Sequence, residues 1–175
     1  VNVVRCFEDD NVVHVAGKVD PISDIEVIQT ELCLADLGSV EKALHRVTKV
    51  ARSGDKESQK LVSILEKCRA ALDEGKPVRT VQFSKEEQPL LKQFFLITAK
   101  PAMFVANVVE DGFDNNPFLD RLREYAAAQH APVVAICAKI EAEMADMDEE
   151  DKKMFLHEIG QEEPGLNRLI VAAYK

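Results

Sequence analysis

Three short runs of β-branched and other apolar residues constrain the fold of this chain more than any other feature. They occupy residues 1–7, 102–108 and 132–138. Short apolar runs without polar alternation are typical of strands covered on both faces, as in parallel sheets with crossover helices. Helical patterns follow the second and the third run. The sequence therefore predicts an α/β fold with a parallel sheet.

A long segment between the first and the second run has the periodicity of helices instead. Apolar residues recur every three or four positions from Ile25 to Arg52, which predicts one long amphipathic helix, with an interruption allowed at Gly38. Ser23 or Asp24 is expected to cap its N-terminus. A helix of this length reaches further than the helices of most compact domains.

Two more helices are predicted in the same segment. Residues 53–55 have the turn sequence Ser-Gly-Asp, and the apolar residues of Leu61–Leu72 predict a second helix that runs antiparallel to the first. Ser84 and Glu87 form a capping-box pattern at the start of a further helix that reaches Phe95. The first two helices therefore predict a helical hairpin.

The domain boundaries follow from these patterns. A helical or coiled-coil module is expected at residues 25–98, inserted between two parts of an α/β domain at residues 1–24 and 99–175. A short extended piece is also predicted at Val12–Ala16. Further helices are predicted to start near Asn116, Asp148 and Pro164.

Composition narrows the class of protein. The 175 residues carry a net charge of -9, and 46% of them are hydrophobic, which is typical of a soluble globular chain. No apolar run reaches the roughly 18 residues of a membrane span, and no signal-peptide pattern occurs. We therefore expect a cytoplasmic protein without a membrane partner. The cysteines lie far apart in the sequence, and each has apolar neighbours; they are Cys6, Cys33, Cys68 and Cys137. This pattern favours buried, reduced thiols over a zinc site or a disulfide framework.

Charge is distributed unevenly along the chain. Residues 141–163 contain ten acidic residues and two lysines, whereas residues 42–79 contain ten basic and five acidic residues. In the basic segment, the side opposite the apolar stripe carries Lys42, Arg46, Lys49 and Lys56. Two interpretations stay open: a solvated helix face, and a surface that contacts the phosphate backbone of RNA.

Polar residues follow the second and the third predicted strand, where open parallel sheets bind their ligands. Asn107 lies at the end of the second strand and Glu110 comes three residues later, while Ala138 ends the third strand and Lys139 follows it. An Asn at such a position can hold a loop and bind the edge of a purine, and a residue as small as Ala138 lets a backbone N–H approach the base. Asn and Glu after a strand are also ordinary turn chemistry, so these residues alone do not decide the function.

Four blocks of sequence carry a family resemblance: Val4–Asp10 with His14-Val15, Val19–Glu26, Asn107–Phe113 and Glu162–Asn167. Together they resemble the YchF-type Obg-like ATPases, a family of P-loop GTPases and ATPases of the translation-factor class. The resemblance extends over essentially the whole chain. It implies a P-loop G domain with a helical coiled-coil insertion, followed in the family by a TGS domain.

The resemblance implies roles for the residues after the strands. The family replaces the guanine-reading Asn-Lys-x-Asp by Asn-x-x-Glu, which here is Asn107-Val108-Val109-Glu110. Guanine donates N1–H and N2–H₂ to the Asp carboxylate, and adenine lacks these donors, so the change implies that ATP is preferred over GTP. Val108 would contact adenine through its backbone and its apolar side chain. Ala138 and Lys139 would line the other side of the base, although Lys139 is equally explained as a solvated surface lysine.

The resemblance implies activity only for a longer protein. Family members hydrolyse ATP to ADP with Mg²⁺, yet G-x-x-x-x-G-K-[ST] and D-x-x-G occur nowhere in this chain. Because those motifs hold the phosphates and Mg²⁺, we expect no catalytic or metal-binding residue in this chain and no hydrolysis by it alone. We expect a fragment without the P-loop and the TGS domain. The alternative function is a non-catalytic helical module that binds RNA or the ribosome.

Overall fold

The computed structural model of the protein describes residues 1–8 and 19–174. The extended piece expected at Val12–Ala16 lies outside the described residues. The strands are β1 (Asn2–Arg5), β2 (Phe104–Asn107) and β3 (Val133–Ile136). The helices are α1 (Pro21–Ala51), α2 (Lys56–Asp73), α3 (Glu87–Lys92), α4 (Pro117–Ala128), α5 (Ala138–Ala145), α6 (Glu149–Glu158) and α7 (Gly165–Ala173), with short 3₁₀ turns at Val78–Thr80 and Ile97–Ala99.

The three strands form one parallel sheet in the order β1-β2-β3. Arg5, Asn107 and Ile136 are register partners at its carboxyl end, so the residues that follow the strands meet at one edge of the sheet. This confirms the α/β class and the parallel sheet. Each strand has 4 residues and is shorter than its apolar run, because the ends of the runs form loops and, after β3, a helix.

A buried apolar cluster joins the sheet to helices α4, α5 and α6. Phe104 of β2 is 1% exposed, and its ring meets the Tyr125 ring of α4 edge-on with 6.0 Å between the ring centres. Leu119 of α4, Ile140 of α5 and Leu156 of α6 belong to the same cluster. Burial of one apolar face of each helix explains the helical periodicity of this part of the sequence.

Helix α1 has 31 residues and begins earlier than expected. The Asp20 side chain accepts hydrogen bonds from the N–H groups of Ile22 (3.2 Å) and Ser23 (3.4 Å). Asp20 is therefore the capping residue, and the expectation of Ser23 or Asp24 is wrong. The helix runs through Gly38 without interruption, because a glycine costs only about 1 kcal/mol inside a helix and the turns on both sides are held by packing.

Helices α1 and α2 form a hairpin with a buried cluster of its own. At the turn, the Asp55 side chain accepts a hydrogen bond from the Ser58 N–H at 2.8 Å and caps α2. At the far end of α2, the Cys33 thiol donates to the Gly75 carbonyl oxygen at 3.6 Å, so the helices run antiparallel. That this hairpin is a coiled coil stays a prediction. The shared cluster contains Val40, Leu44, Val47, Ile64, Leu65, Cys68 and Leu72.

Two elements differ from their expected bounds. Helix α3 begins with the expected capping box, in which the Glu87 carboxylate accepts from the Ser84 N–H at 2.8 Å. It ends at Lys92 and not at Phe95, because Phe95 adopts the left-handed conformation (φ 50°), which does not continue a helix. Ala138, expected in the third strand, is instead the first residue of α5.

The chain divides into two compact units. The sheet unit comprises residues 1–25 and 102–175, and the helical unit comprises residues 26–101. The domain boundaries expected after residues 24 and 98 stay a prediction, because a compact unit need not fold independently. Within the described ranges, no helix is both long enough and apolar enough to cross a lipid bilayer.

The cysteines are all buried, and none forms a disulfide. Their burial agrees with the expectation from the sequence. Burial away from water disfavours the thiolate and raises the pKa of the Cys6 and Cys68 thiols to about 11. Cys6 lies in the sheet unit and Cys68 in the helical unit, so each unit has one strongly shielded thiol.

Candidate functional site

A cavity of about 660 Å³ lies beyond the carboxyl ends of the strands in the sheet unit. Its volume falls within the roughly 300–1,000 Å³ of small-molecule sites. The parallel register explains its position, because each strand delivers its following loop to the same edge. The lining residues come from all three loops: Phe7, Asn107, Val108, Val109, Glu110, Asp111, Cys137 and Lys139.

Asn107 joins two of the loops that form this cavity. Its side-chain Oδ1 accepts a hydrogen bond from the backbone N–H of Ala138 at 3.0 Å. That N–H belongs to the first turn of α5, where backbone donors have no partner inside the helix. Within the described part of the chain, the Asn107 Nδ2 group has no hydrogen-bond partner. Asn107 therefore fixes the loop with its oxygen and keeps its two amide hydrogens for a ligand.

Glu110 and Lys139 meet across the same cavity. The Lys139 Nζ donates to the Glu110 Oε1 at 2.6 Å, and their side chains are 70% and 53% exposed, respectively. The hydrogen bond from Lys139 to Glu110 raises the pKa of Lys139, with further contributions from the charges of Glu110 and Glu143. Because water screens an exposed pair, it adds little to stability. Its consequence is local: the Glu110 carboxylate faces the cavity already engaged by a cation.

Val108 lines the cavity but is largely buried, and its contact with a base stays a prediction. It is 2% exposed and belongs to the buried cluster of the sheet unit. Its N–H donates to the Ile136 carbonyl oxygen at 2.8 Å, so this donor is used inside the protein. The next residue, Val109, is 41% exposed and also lines the cavity. Val109 is thus better placed than Val108 for apolar contact with a ligand.

Asn116 holds the loop that carries Glu110, and sequence reasoning identified it only as the start of a helix. Its Nδ2 donates to the carbonyl oxygens of Cys6 and Gly112, both at 2.9 Å. Its Oδ1 accepts from the N–H groups of Phe118 (3.1 Å) and Leu119 (3.2 Å) and caps α4. One buried side chain therefore connects the end of β1, the loop after β2 and helix α4. The Asn-Pro dipeptide predicted the start of the helix, but no local pattern predicted the bond to the Cys6 carbonyl.

Glu141 fixes α7 to α5, and it too was missed. Its Oε1 accepts from the Gly165 N–H at 2.6 Å, and its Oε2 lies 3.4 Å from the Leu166 N–H. A carboxylate at these free N–H groups is favourable for a helix N-terminus. A Cβ on Gly165 would lie 2.7 Å from the Glu141 Oε1 and 2.8 Å from an Ile136 side-chain carbon. This crowding explains the glycine, since no other residue fits there without displacing its neighbours.

Arg168 supports the cavity from α7. Its guanidinium donates to the Gln161 Oε1 at 2.8 Å and to the Ala135 carbonyl oxygen of β3 at 3.0 Å. The guanidinium also lies over the Phe113 ring, 5.8 Å from the ring centre. Phe113 ends the turn that begins after β2, so Arg168 connects this turn to the outer strand.

The basic residues predicted to contact RNA lie in the helical unit. Lys42, Arg46 and Lys49 are exposed on α1, and Lys56 is exposed at the first residue of α2. At 100° per residue, the three residues of α1 fall within about 60° of one another. Among the described residues, no carboxylate forms an ion pair with any of these four side chains.

The described ranges contain no candidate site for a metal ion. No group of three or more His, Cys, Asp and Glu side chains lies close enough together to hold a metal ion. Mg²⁺ prefers several oxygen ligands at short distances. The described residues therefore do not fit the Mg²⁺ site that the family resemblance implies, and no chemical step is derived through it.

Comparison with known proteins gives a consistent result. No protein-family model matches the chain. The chain is 51% identical over 174 residues to the ribosome-binding ATPase YchF of Escherichia coli O157:H7, covering 99% of this chain and 48% of that protein. It is 53% identical over 173 residues to that of Haemophilus influenzae and 49% identical over 176 residues to that of Bacillus subtilis, with the same coverage.

A solved structure also matches. The YchF GTPase of Schizosaccharomyces pombe superimposes with a TM-score of 0.84 at 26% sequence identity, over 98% of this chain and 48% of that one. The chain thus spans about half the length of the curated relatives and of the solved structure that it matches.

Proposed function

We infer that this chain forms the base-binding half of a nucleoside-triphosphate hydrolase, because it is homologous over nearly its whole length to the YchF-type ATPases. The family resemblance found in the sequence is thereby confirmed. We propose further that its ligand is a purine nucleotide, with ATP preferred over GTP. In a protein that also carries the phosphate-binding motifs, the reaction is hydrolysis of ATP to ADP.

The main support for this proposal is that the loops after β2 and β3 are joined across the cavity. Asn107 is bonded to Ala138, and Glu110 is paired with Lys139, so residues from the ends of β2 and β3 act together. These are the positions that the family uses for the base. The Asn107 amide hydrogens and the exposed Val109 side chain supply polar and apolar contacts of the kind that a flat heterocycle needs.

The ion pair supplies a physical reason for a preference for adenine. Guanine offers two donors, N1–H and N2–H₂, which a free carboxylate would accept. In this protein the Glu110 carboxylate is already engaged by Lys139 at 2.6 Å. Adenine has an acceptor at N1, to which an ammonium group can donate and against which a bare carboxylate is unfavourable. Lys139 is therefore proposed to favour adenine and to disfavour guanine through its hold on Glu110.

The test uses a full-length protein that carries this segment. In a chimera, this chain replaces the matched half of the Escherichia coli O157:H7 relative, and the dissociation constants for ATP and GTP are measured by titration. Lys139→Met removes the ammonium group and frees the Glu110 carboxylate. One charge-assisted hydrogen bond to guanine changes affinity by about tenfold. We expect the ratio of the two constants to shift toward GTP by that factor.

The controls separate charge from fold. Lys152 pairs with Glu149 at 3.2 Å in the same unit, so Lys152→Met should leave the ratio unchanged. The double change Lys139→Met with Glu110→Gln should lose the gain for GTP, because an amide replaces the carboxylate. The substitution Val108→Lys, which would recreate Asn-Lys-x-Asp, is unsuitable because Val108 is 2% exposed. An unaltered ratio in Lys139→Met would disprove the proposed role of the pair, and a chimera that binds neither nucleotide would disprove the function.

The chain by itself is proposed to bind nucleotides weakly. Most affinity for ATP comes from contacts with its phosphates, and the Gly-rich phosphate-binding motif is not present in the sequence. We expect no dissociation constant below about 1 mM in a titration of the 175-residue chain with ATP. Micromolar binding would show that other residues hold the phosphates.

A second candidate function is binding to the ribosome through the helical unit. The relatives are named ribosome-binding ATPases, and the three exposed cations of α1 lie on one face without ion-pair partners among the described residues. Cations in this arrangement suit the phosphates of RNA. A ribosome-associated ATPase of this kind would work in the cytoplasm.

Cosedimentation of the chimera with ribosomes across a salt series tests this second function. Each phosphate contact contributes about 0.7–0.9 to the slope of log K against log salt. We expect Lys42→Ala, Arg46→Ala and Lys49→Ala together to reduce the slope by about two to three. The matched control replaces three exposed lysines elsewhere, Lys60, Lys85 and Lys153. An unchanged slope in the first variant would leave these residues as an ordinary solvated face.

A further inference from the structure

The helical unit contains a cavity that is separate from the proposed nucleotide site and from the basic face of α1. It measures about 570 Å³ and is bounded by α3, by residues 78–83 and by residues 95–101. We call it the α3 groove. Its volume is close to that of the cavity at the end of the sheet, but its lining is different in kind.

The walls of the α3 groove are mainly apolar. Val78 and Leu96 are 0% and 3% exposed and form its base, and the partly buried side chains of Phe83 and Leu91 extend it. Phe95 lines the same groove while 82% exposed. Its φ of 50° is unusual for a bulky residue and holds the ring at the surface. A bulky residue kept in an unfavourable conformation is a frequent mark of a binding site.

The groove is formed in advance by a buried carboxylate. Asp36 of α1 is 2% exposed and accepts hydrogen bonds from the Ile97 N–H (2.9 Å), the Thr98 N–H (2.7 Å) and the Thr98 hydroxyl (2.7 Å). The Thr98 hydroxyl oxygen in turn accepts from the Val78 N–H at 3.1 Å. These bonds tie both segments that bound the groove to one helix. A ligand would therefore meet a shaped surface without first having to order it.

The charged residues of the groove are all basic. Arg79, Lys92 and Lys100 line it, and no Asp or Glu does. Within the described ranges, Lys92 and Lys100 are exposed and form no ion pair. Glu87 of α3 is turned away and pairs with Lys67 of α2 at 2.6 Å. An apolar base with cations around it is complementary to a chain segment that combines large apolar side chains with carboxylates.

We propose that the α3 groove binds an acidic peptide segment of a partner protein, anchored by aromatic or leucine side chains. The aliphatic base formed by Val78, Leu91 and Leu96 suits side chains of this kind. Nucleic acid fits less well, because bases stack on aromatic faces and Phe95 is the one residue of the groove with a highly exposed ring. A small polar ligand would need convergent polar groups, and Gln88 is the sole uncharged polar side chain in the lining.

Fluorescence anisotropy with the 175-residue chain tests the proposal. The probe is a fluorescein-labelled peptide that alternates Asp and Glu with Phe and Leu. Two control peptides replace every acid by Lys or every Phe and Leu by Ser, and a labelled oligouridylate represents nucleic acid. We expect the acidic apolar peptide to bind with a dissociation constant below about 1 mM, and each control peptide to bind at least about tenfold more weakly.

Variants of the chain locate the binding. Phe95→Gly removes the exposed ring without disturbing a buried residue, and the pair Lys92→Glu with Lys100→Glu reverses the charge. Both should weaken the peptide by about tenfold, whereas Lys42→Glu with Lys49→Glu, an equal charge change on α1, should not. No peptide binding at 1 mM, equal binding of the lysine peptide, or binding of oligouridylate alone would each overturn the proposal.

Discussion

The sheet unit and the helical unit each have a buried apolar cluster, and they differ in what their side-chain hydrogen bonds to the backbone hold in place. In the sheet unit, Asn107, Asn116 and Glu141 each hold a loop or a helix end through side-chain hydrogen bonds to the backbone. In the helical unit, apolar side chains of α1 and α2 form the cluster, and Asp36 is the one buried charged residue that the structure describes there. A site for a small ligand needs loops in fixed positions, which several polar bonds provide. In the helical unit, such bonds cap α2 at Asp55 and fix residues 97 and 98 to α1 through Asp36.

The largest effect is expected from the buried charge of the helical unit. Asp36→Ala leaves two buried donors of Thr98 and the partly buried Ile97 N–H without a partner, so we expect the free energy of unfolding to fall by about 3–5 kcal/mol in urea denaturation. Glu31 is exposed on the same helix, and Glu31→Ala should change it by less than about 0.5 kcal/mol. Equal losses in the two variants would mean that the apolar cluster alone positions residues 97 and 98.

Substitution of the buried Asn116 in the sheet unit should lower the free energy of unfolding somewhat less. Asn116→Ala removes the cap of α4 and two bonds to carbonyl groups, for an expected loss of about 2–3 kcal/mol. Asn116→Asp keeps the capping oxygen but places a carboxylate beside the Cys6 and Gly112 carbonyls, so it should not restore stability. Asn167→Ala, at an exposed position of the same unit, is the matched control. Full stability in Asn116→Asp would show that only the cap matters.

The buried thiols give both units the same dependence on pH. Below pH 9 the folded and unfolded states both keep the proton, whereas between 9.0 and about 11 only the unfolded thiol ionises. The free energy of unfolding should therefore decrease as the pH rises, by about 1–2 kcal/mol per thiol at pH 10.5. Cys6→Ala and Cys68→Ala should each reduce this slope. A slope that neither substitution changes would assign the effect to other groups.

The smallest effect is expected where the backbone is left-handed. Phe95→Gly should raise the free energy of unfolding by about 0.5–1 kcal/mol, because glycine adopts this conformation without steric cost and little of the ring is buried. Asn115 has a φ of 52° in the sheet unit, and Asn115→Gly should gain less, since asparagine tolerates this region. Thermal denaturation of both variants measures the difference, and a loss of stability in Phe95→Gly would mean that the ring contributes packing.

Prediction from the sequence succeeded for features that depend on neighbours along the chain. The apolar runs gave the three strands, and the Ser84 and Glu87 pattern gave the start of α3. Prediction was wrong at the start of α1 and at the end of α3. In the first case three residues could cap one helix, and Asp20 does so through bonds from the nearby N–H groups of Ile22 and Ser23. In the second, the pattern of apolar residues continues to Phe95 while the backbone does not.

The candidate site was only partly accessible from the sequence. The positions of Asn107, Glu110, Ala138 and Lys139 at strand ends were expected from the order of elements. Their pairing was not, because it depends on how β2 and β3 are aligned. Val108 was expected to be buried as part of the second apolar run, and it is. The exposure of Val109 beside the cavity was not expected, since periodicity does not tell which residue after a strand faces a ligand.

The sequence by itself determined the fold class, the helical hairpin, the basic face of α1 and the resemblance to the YchF-type ATPases, because each rests on local pattern or on similarity to other chains. Only the tertiary structure decided which distant groups meet. Asn116 bonds to a carbonyl 110 residues away, Asp36 to a residue 62 away and Glu141 to one 24 away. Such bonds depend on the whole path of the backbone between the partners. A local pattern carries no information about that path, which is fixed only when the sheet and its helices pack together.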